Sequence, residues 1–177
     1  GAVRRHAQAM EREGQDLARY PLPQGHEGLR ELIAQNLKDK RGLETSVDSI
    51  FLSSGAGGAI QSILDAFIDP GDVVLAEEFT YLGTLRMLLE RRARVIHLPT
   101  DQQGMDTDAL ERKVRELTAD GIRPKLIHTI CIYQNPMGMT LSQERREHMV
   151  EVSHQYGIPI LENESYADFR IDGPPLP

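Results

Sequence analysis

Between residues 50 and 161 the chain alternates short runs that are apolar on both faces with stretches whose apolar residues recur at helical spacing. The apolar runs are 50–53, 73–76, 95–98, 126–132 and 158–161. The intervening helical sets are Ile60, Ile63, Leu64, Phe67; Leu85, Leu88, Leu89; Leu110, Val114, Leu117; and Met149, Val152, Tyr156. Ser142 suits the N-cap of the last helix and Gly157 its end, while Asp-Pro-Gly-Asp at 69–72 predicts a turn. A strand apolar on both sides has to be covered on both sides. Strand–helix alternation therefore predicts an α/β fold of three layers, αβα, around a mostly parallel sheet. Such sheets bind ligands at the C-terminal ends of their strands, where loops meet helix N-termini.

Ahead of this core, residues 1–19 read as a helix and a connection, and 20–28 as a Pro- and Gly-rich loop. From Gly28, the residues Leu29, Leu32, Ile33 and Leu37 follow helical spacing, with Gly42 placed as a C-terminal cap. Lys38, Lys40 and Arg41 suit the negative end of that helix dipole. The expected division is an N-terminal segment and connecting helix over 1–45, then the main α/β domain over 46–177. The start at Gly1 and the ending Gly-Pro-Pro-Leu-Pro both read as cuts.

Charge and composition narrow the function. The formal net charge is −7 over 177 residues, which argues against a nucleic-acid partner, because a phosphate backbone calls for a basic field. The single cysteine, Cys131, excludes an internal disulfide framework and fits a reducing, cytoplasmic setting. It lies in an apolar run and reads as a core residue. No apolar stretch has the length of a membrane span, and no signal peptide opens the chain.

Four groups of residues follow the apolar runs, where ligands are expected. Ser53, Ser54, Gly55, Ala56, Gly57 and Gly58 precede a helix; small residues there admit an anion to backbone N–H groups, though they suit a plain tight turn equally. Thr80 and Tyr81 follow the second run, and an aromatic there either packs or stacks on a flat ligand. Asn135-Pro136-Met137-Gly138 follows the fourth run, either as an Asx-type turn or as a fixed polar handle. Glu162, Asn163, Glu164 and Tyr166 follow the fifth; no histidine stands at ligand spacing, so no metal site is assigned.

Taken in order, these groups resemble the fold-type-I, pyridoxal-phosphate (PLP) dependent aminotransferases, of the class that includes aminoadipate-type transaminases. The resemblance begins at Tyr20, Gly25, Leu29 and Arg30 and continues through the turn 55–58. It then takes in Pro70-Gly71-Asp72, Thr80-Tyr81, Pro99, Asp101 and Gly104, Asn135-Pro136-Met137-Gly138, and the acidic segment ending in Tyr166. It implies an incomplete large domain of the PLP-transferase type. It also implies a PLP cradle in which the turn Gly55, Ala56, Gly57 holds the phosphate through backbone N–H groups and Tyr81 stacks on the ring. Asn135 would bond the ring's O3′ oxygen and help orient a substrate carboxylate, with Tyr166 also on O3′. Asn163 would face the pyridine nitrogen, and Tyr20 would reach the phosphate of a partner subunit in a homodimer. Amino acids and 2-oxo acids are the implied substrates.

The pattern departs from the family in three places. Asn-Pro-Met-Gly replaces Asn-Pro-Thr-Gly, and Asn163 stands where the family has Asp. The lysine that holds the cofactor belongs downstream of Tyr166, and none of Lys38, Lys40, Lys113 or Lys125 takes that place, so no catalytic residue is assigned. The arginine that grips the substrate carboxylate likewise belongs to a C-terminal domain. The expectation is a cofactor-binding part of an aminotransferase, not competent alone. The rival is an aminotransferase-like sensor domain of a transcription regulator, or a lysine-less pseudoenzyme.

Overall fold

A computed structural model describes Arg4, Tyr20 and residues 22–169. The chain divides into two compact units, Gly1–Ser53 and Ser54–Pro177. The helix expected within 1–19 lies outside the described residues apart from Arg4.

In the first unit, helix α1 spans Glu27–Arg41. Gly42 ends it in the left-handed conformation (φ 65°), with its N–H on the Lys38 carbonyl at 3.0 Å and Leu43 N–H on Leu37 O at 3.2 Å. The apolar spacing of α1 does not make a buried stripe here: Leu29 and Leu32 are exposed, and Arg30 is the buried residue of the helix. Its guanidinium donates to the Val47 carbonyl at 2.9 Å, 3.9 Å from Asp48. Residues 50–53, expected as a strand, are not one. Phe51 is 65% exposed, and Leu52 N–H is satisfied by Gln24 O at 2.9 Å instead of a sheet neighbour.

The second unit holds helix α2 (Gly55–Phe67), strand β1 (Val73–Glu77), α3 (Leu82–Glu90), β2 (Arg94–Leu98), α4 (Thr107–Ala119), β5 (Leu126–Thr129), α5 (Gln143–Tyr156) and β6 (Ile160–Glu162). Between β2 and α4 a small hairpin, β3 (Thr100–Asp101) and β4 (Gly104–Met105), pairs antiparallel. The main sheet has the order β2-β1-β5-β6, with every neighbour parallel. β1 is buried along its whole length, as its apolar run predicts.

The strand period of two sorts this sheet into two cores. Val73, Leu75 and Ile127 pack with Leu110, Val114, Leu117, Met149 and Val152 of α4 and α5. Val74, Leu126 and Leu161 pack with Ile60, Leu64 and Leu88 of α2 and α3. The result is the expected three-layer αβα arrangement. From β1 the chain crosses by α3 to β2 on one side, and from β2 it returns by α4 to β5 on the other side of β1. Right-handed crossovers in opposite directions place their helices on opposite faces, as observed. The loops leaving β1 and β5 therefore lead to opposite faces of the sheet, which makes the strand C-terminal ends between them a topological switch point, where such sheets bind ligands.

The strand expected over 126–132 stops at Thr129, because Ile130 N–H turns to a carboxylate, Glu77, in place of a neighbouring strand. The hairpin gives Pro99, Asp101 and Gly104 a structural task. Asp101 Oδ1 accepts from Gln103 N–H at 2.7 Å, and its two oxygens take both Arg145 terminal nitrogens at 2.7 Å each, tying the hairpin to α5. That guanidinium holds the Asp101 carboxyl below its ordinary range. Gly104 (φ 95°) could not carry a side chain, since a Cβ would lie 2.7 Å from Leu141 Cδ1.

Candidate functional site

Four features belong to the loops and the helix terminus at the C-terminal ends of the strands. The first is the N-terminus of α2. Gly55 enters the helix at φ 76°, Ser54 provides no side-chain cap, and no acidic residue lies in the first turn. The first-turn N–H groups of Ala56 and Gly57 have no intrahelical acceptor and are exposed, and a Cβ on Gly57 would meet nothing within 4 Å. An anion is the natural partner for such a terminus.

The second is the loop from β1 to α3. Tyr81 stands at the N-cap of α3 and is 43% exposed. Its ring lies along the first turn of that helix: a Cβ on Gly83 would come 2.7 Å from Tyr81 Cζ, so only glycine admits the ring there.

The third and fourth are the segments after β5 and β6, which the structure brings together. Asn135 Nδ2 donates to the Tyr166 hydroxyl at 3.0 Å. Asn135 sits in a turn closed by Gln134 N–H on Met139 O (2.8 Å) and Gly138 N–H on Gln134 O (2.5 Å), with a cis Asn135–Pro136 bond. Asn163 continues β6, its N–H on Thr129 O at 2.9 Å. Its side chain is oriented by Ser165, whose N–H (3.1 Å) and hydroxyl (2.5 Å) both donate to Oδ1. The backbone N–H can only donate, so the oxygen of the amide faces Ser165 and the Nδ2 donors remain for another group. Glu162 points to the α5 face, where Arg146 approaches within 3.3 Å, so alternation turns Asn163 to the α2 and α3 face. Tyr20 belongs to the first unit and is 99% exposed.

Sequence reading passed over the group beneath these loops. Glu77, the last residue of β1, is 2% exposed. It accepts from Thr129 Oγ1 (2.7 Å), Ile130 N–H (3.2 Å) and Gln134 Nε2 (3.1 Å). Gln134 Nε2 also donates to the Phe79 carbonyl, and its Oε1 accepts Met137 N–H at 2.9 Å. Burial pushes the Glu77 carboxyl up from its ordinary value, against the pull of these hydrogen bonds. A charged residue closing an otherwise apolar strand, and an amide beside Asn135, were its only traces in the sequence.

Two buried polar atoms on the α2 and α3 side of the sheet lack hydrogen-bond partners. His128 alternates with Leu126, which puts its ring on the α2 and α3 face. Its Nδ1 lies 3.2 Å from the Leu161 carbonyl, while Nε2 is buried without a partner. Burial lowers its pKa to about 4, so the ring is neutral near pH 7, with Nδ1–H donating and Nε2 a bare acceptor. Thr84 Oγ1, one helical turn before Leu88 on the sheet-facing side of α3, is likewise buried and unpartnered. Cys131 is buried and its thiol is pushed up to about 12, so it is an inert core group. Among the described residues no cluster of His, Cys, Asp and Glu could hold a metal ion, and no helix is long and apolar enough to cross a membrane.

Residues 2–175 match the family model for aminotransferases of class I and II. Aromatic-amino-acid aminotransferase 1 of Thermococcus litoralis is 31% identical over 169 residues, 96% of this chain and 40% of that relative. The uncharacterized HTH-type transcriptional regulator YisV of Bacillus subtilis is 30% identical over 159 residues, 89% of this chain and 32% of the regulator. An archaeal alanine:glyoxylate aminotransferase superposes with a TM-score of 0.86 at 37% identity, over 95% of this chain and 42% of that one. The chain thus spans about 40% of the length of the aminotransferases it matches.

Proposed function

The chain belongs to the class I and II aminotransferase family, and from that we propose that it is the cofactor-holding part of a PLP-dependent aminotransferase acting on amino acids and 2-oxo acids. The observation that carries this reading is the Asn135–Tyr166 hydrogen bond, which brings together the segments after β5 and β6; the open N-terminus of α2, the exposed Tyr81 ring and the Asn163 amide support it.

These residues fit the cofactor. Backbone N–H groups of Ala56 and Gly57, following the turn at Gly55, bind the dianionic phosphate with the favourable end of the helix dipole. The exposed Tyr81 ring offers a flat apolar face to the pyridine. Tyr166, already accepting from Asn135, keeps its own proton to donate to O3′. Bound there, the cofactor supplies an electron sink conjugated to the substrate amine. Asn163 sets the strength of that sink: an amide presenting N–H donors pairs with a neutral pyridine nitrogen, whereas the family's carboxylate favours a protonated one. The buried, unpartnered Nε2 of His128 and Oγ1 of Thr84 face the same side of the sheet, as expected beneath a polar ligand.

The covalent attachment point lies outside these residues. Lys125 reaches Asp72 at 3.6 Å, at the N-terminal end of the strands, and Lys113 pairs with Glu116 on α4. Binding to this chain is therefore non-covalent. Tyr20, so fully exposed, is assigned to the phosphate of a second subunit in a cytoplasmic homodimer.

PLP titration followed by absorbance tests the reading. Saturable binding that inorganic phosphate competes away is expected, and borohydride reduction followed by digestion should label no single lysine. Absence of saturable binding, or stoichiometric labelling of Lys113 or Lys125, overturns it.

The kinship with the regulator YisV favours a second reading, a ligand-sensing domain of a transcription regulator, in which a weakened electron sink carries no penalty. Sequencing the gene on both sides separates the two: a helix-turn-helix segment upstream supports the regulator, and a lysine loop downstream without one supports the enzyme.

A further inference from the structure

We propose that Glu77 is a positioning residue that locks the Tyr81 loop and the Asn135 turn together, so that ring stacking and the O3′ contact form as one unit. The inference rests on the PLP reading above. Every group facing the buried carboxylate is a donor: the Thr129 hydroxyl, the Ile130 N–H and the Gln134 amide. All three bonds point their hydrogens at the carboxyl oxygens, the arrangement an acceptor-only carboxylate meets most fully, against the upward pull of burial. Gln134 then has its amide orientation dictated. With one Nε2 hydrogen on Glu77, the other falls on Phe79 O, two residues before Tyr81, and Oε1 faces Met137 N–H, two residues after Asn135. One carboxylate thus sets the hydrogen-bond direction of a side chain that spans both loops. The clamp lies on the α4 and α5 face of the sheet, since Glu77 alternates with Leu75 and Val73, and it touches neither Tyr81 nor Asn135 directly.

Glu77→Gln puts an amide hydrogen against a donor and forces Gln134 to rotate, releasing Phe79 O and opposing Met137 N–H. The α2 N-terminus lies outside this network. The test compares two probes on wild type and E77Q: PLP, which needs the loops, and inorganic phosphate, which needs only α2. The expected result is PLP binding weaker by about tenfold, as for loss of a hydrogen bond to a charged group, with phosphate affinity within about twofold of wild type. In the double variant E77Q/Q134E a donor–acceptor pair between the two positions is restored but Phe79 O faces a carboxylate that cannot donate, so PLP binding stays weak, and recovery would overturn the inference. If E77Q does not fold, Gln134→Leu supplies the same comparison, because it cuts the span to Phe79 and Met137 and leaves Glu77 with Thr129 and Ile130. A merely structural role would lower both affinities together, and unchanged PLP binding in a folded variant would also overturn the inference while leaving the PLP reading intact. Failure of the wild-type chain to bind PLP overturns the reading itself, and the inference with it.

Discussion

Asn135 and Tyr166, on loops after different strands, meet side chain to side chain, the Asn135 amide donating to the Tyr166 hydroxyl at 3.0 Å. The pair joins the ends of β5 and β6 directly. The hydroxyl is held with its proton turned away from Asn135.

Tyr166→Phe removes that acceptor and the donor to O3′ while keeping the ring. PLP affinity should fall by about three- to tenfold, as for one net hydrogen bond. Absorbance titration of the variant measures it. Unchanged affinity would detach Tyr166 from the cofactor.

Gly57→Pro separates binding from folding. Position 57 is the third residue of α2, where the N–H has no intrahelical acceptor, so proline removes no helix bond. The stability cost should stay below about 1 kcal/mol by thermal denaturation, while PLP and phosphate affinities both fall about tenfold. A loss confined to PLP would move the phosphate away from α2.

Asn163→Asp restores an anion where Ser165 already directs two donors to Oδ1. In a full-length, lysine-containing parent, the exchange rate of the substrate α-proton should rise roughly tenfold, the equivalent of about 1–2 kcal/mol in hydrogen-bond strength. Deuterium exchange followed by NMR reads it. A rate that does not rise removes Asn163 from the ring nitrogen.

His128 predicts an acid-side loss of stability. Its folded pKa, about 4, lies below the ordinary 6.5, so the unfolded chain binds the proton first as pH falls. The stability from the neutral ring is complete above about pH 6.5 and is lost progressively down to about pH 4, on the order of 3 kcal/mol in all. The raised carboxyl of Glu77 acts in the opposite sense, so the quantity to measure is the difference in unfolding free energy between wild type and His128→Phe across that range. That difference should change steadily between pH 6.5 and 4; a constant difference would mean that His128 is not buried neutral.

The architecture was legible in the sequence because its determinants are local. Runs apolar on both faces, helical spacing and caps such as Ser142, Gly42 and Gly157 each act within a few residues, and all stand where expected. Residues 50–53 show the limit of that logic: an apolar run becomes a strand only if its backbone finds a ladder partner, and Leu52 bonds to Gln24 instead.

The candidate site residues were legible only as a set: the turn before α2, Tyr81, Asn135 and Asn163 each admit a plain turn or packing reading, and their order along the chain, in its resemblance to the aminotransferases, singled them out. Only the tertiary structure decided how those groups are held. Glu77 meets Gln134 across 57 positions and Asn135 meets Tyr166 across 31. The orientation of the Asn163 amide, the neutrality of His128 and the ionisation of Glu77 depend on which donors surround a buried atom. That is a property of β1, β5 and β6 packed side by side, and local sequence does not encode it.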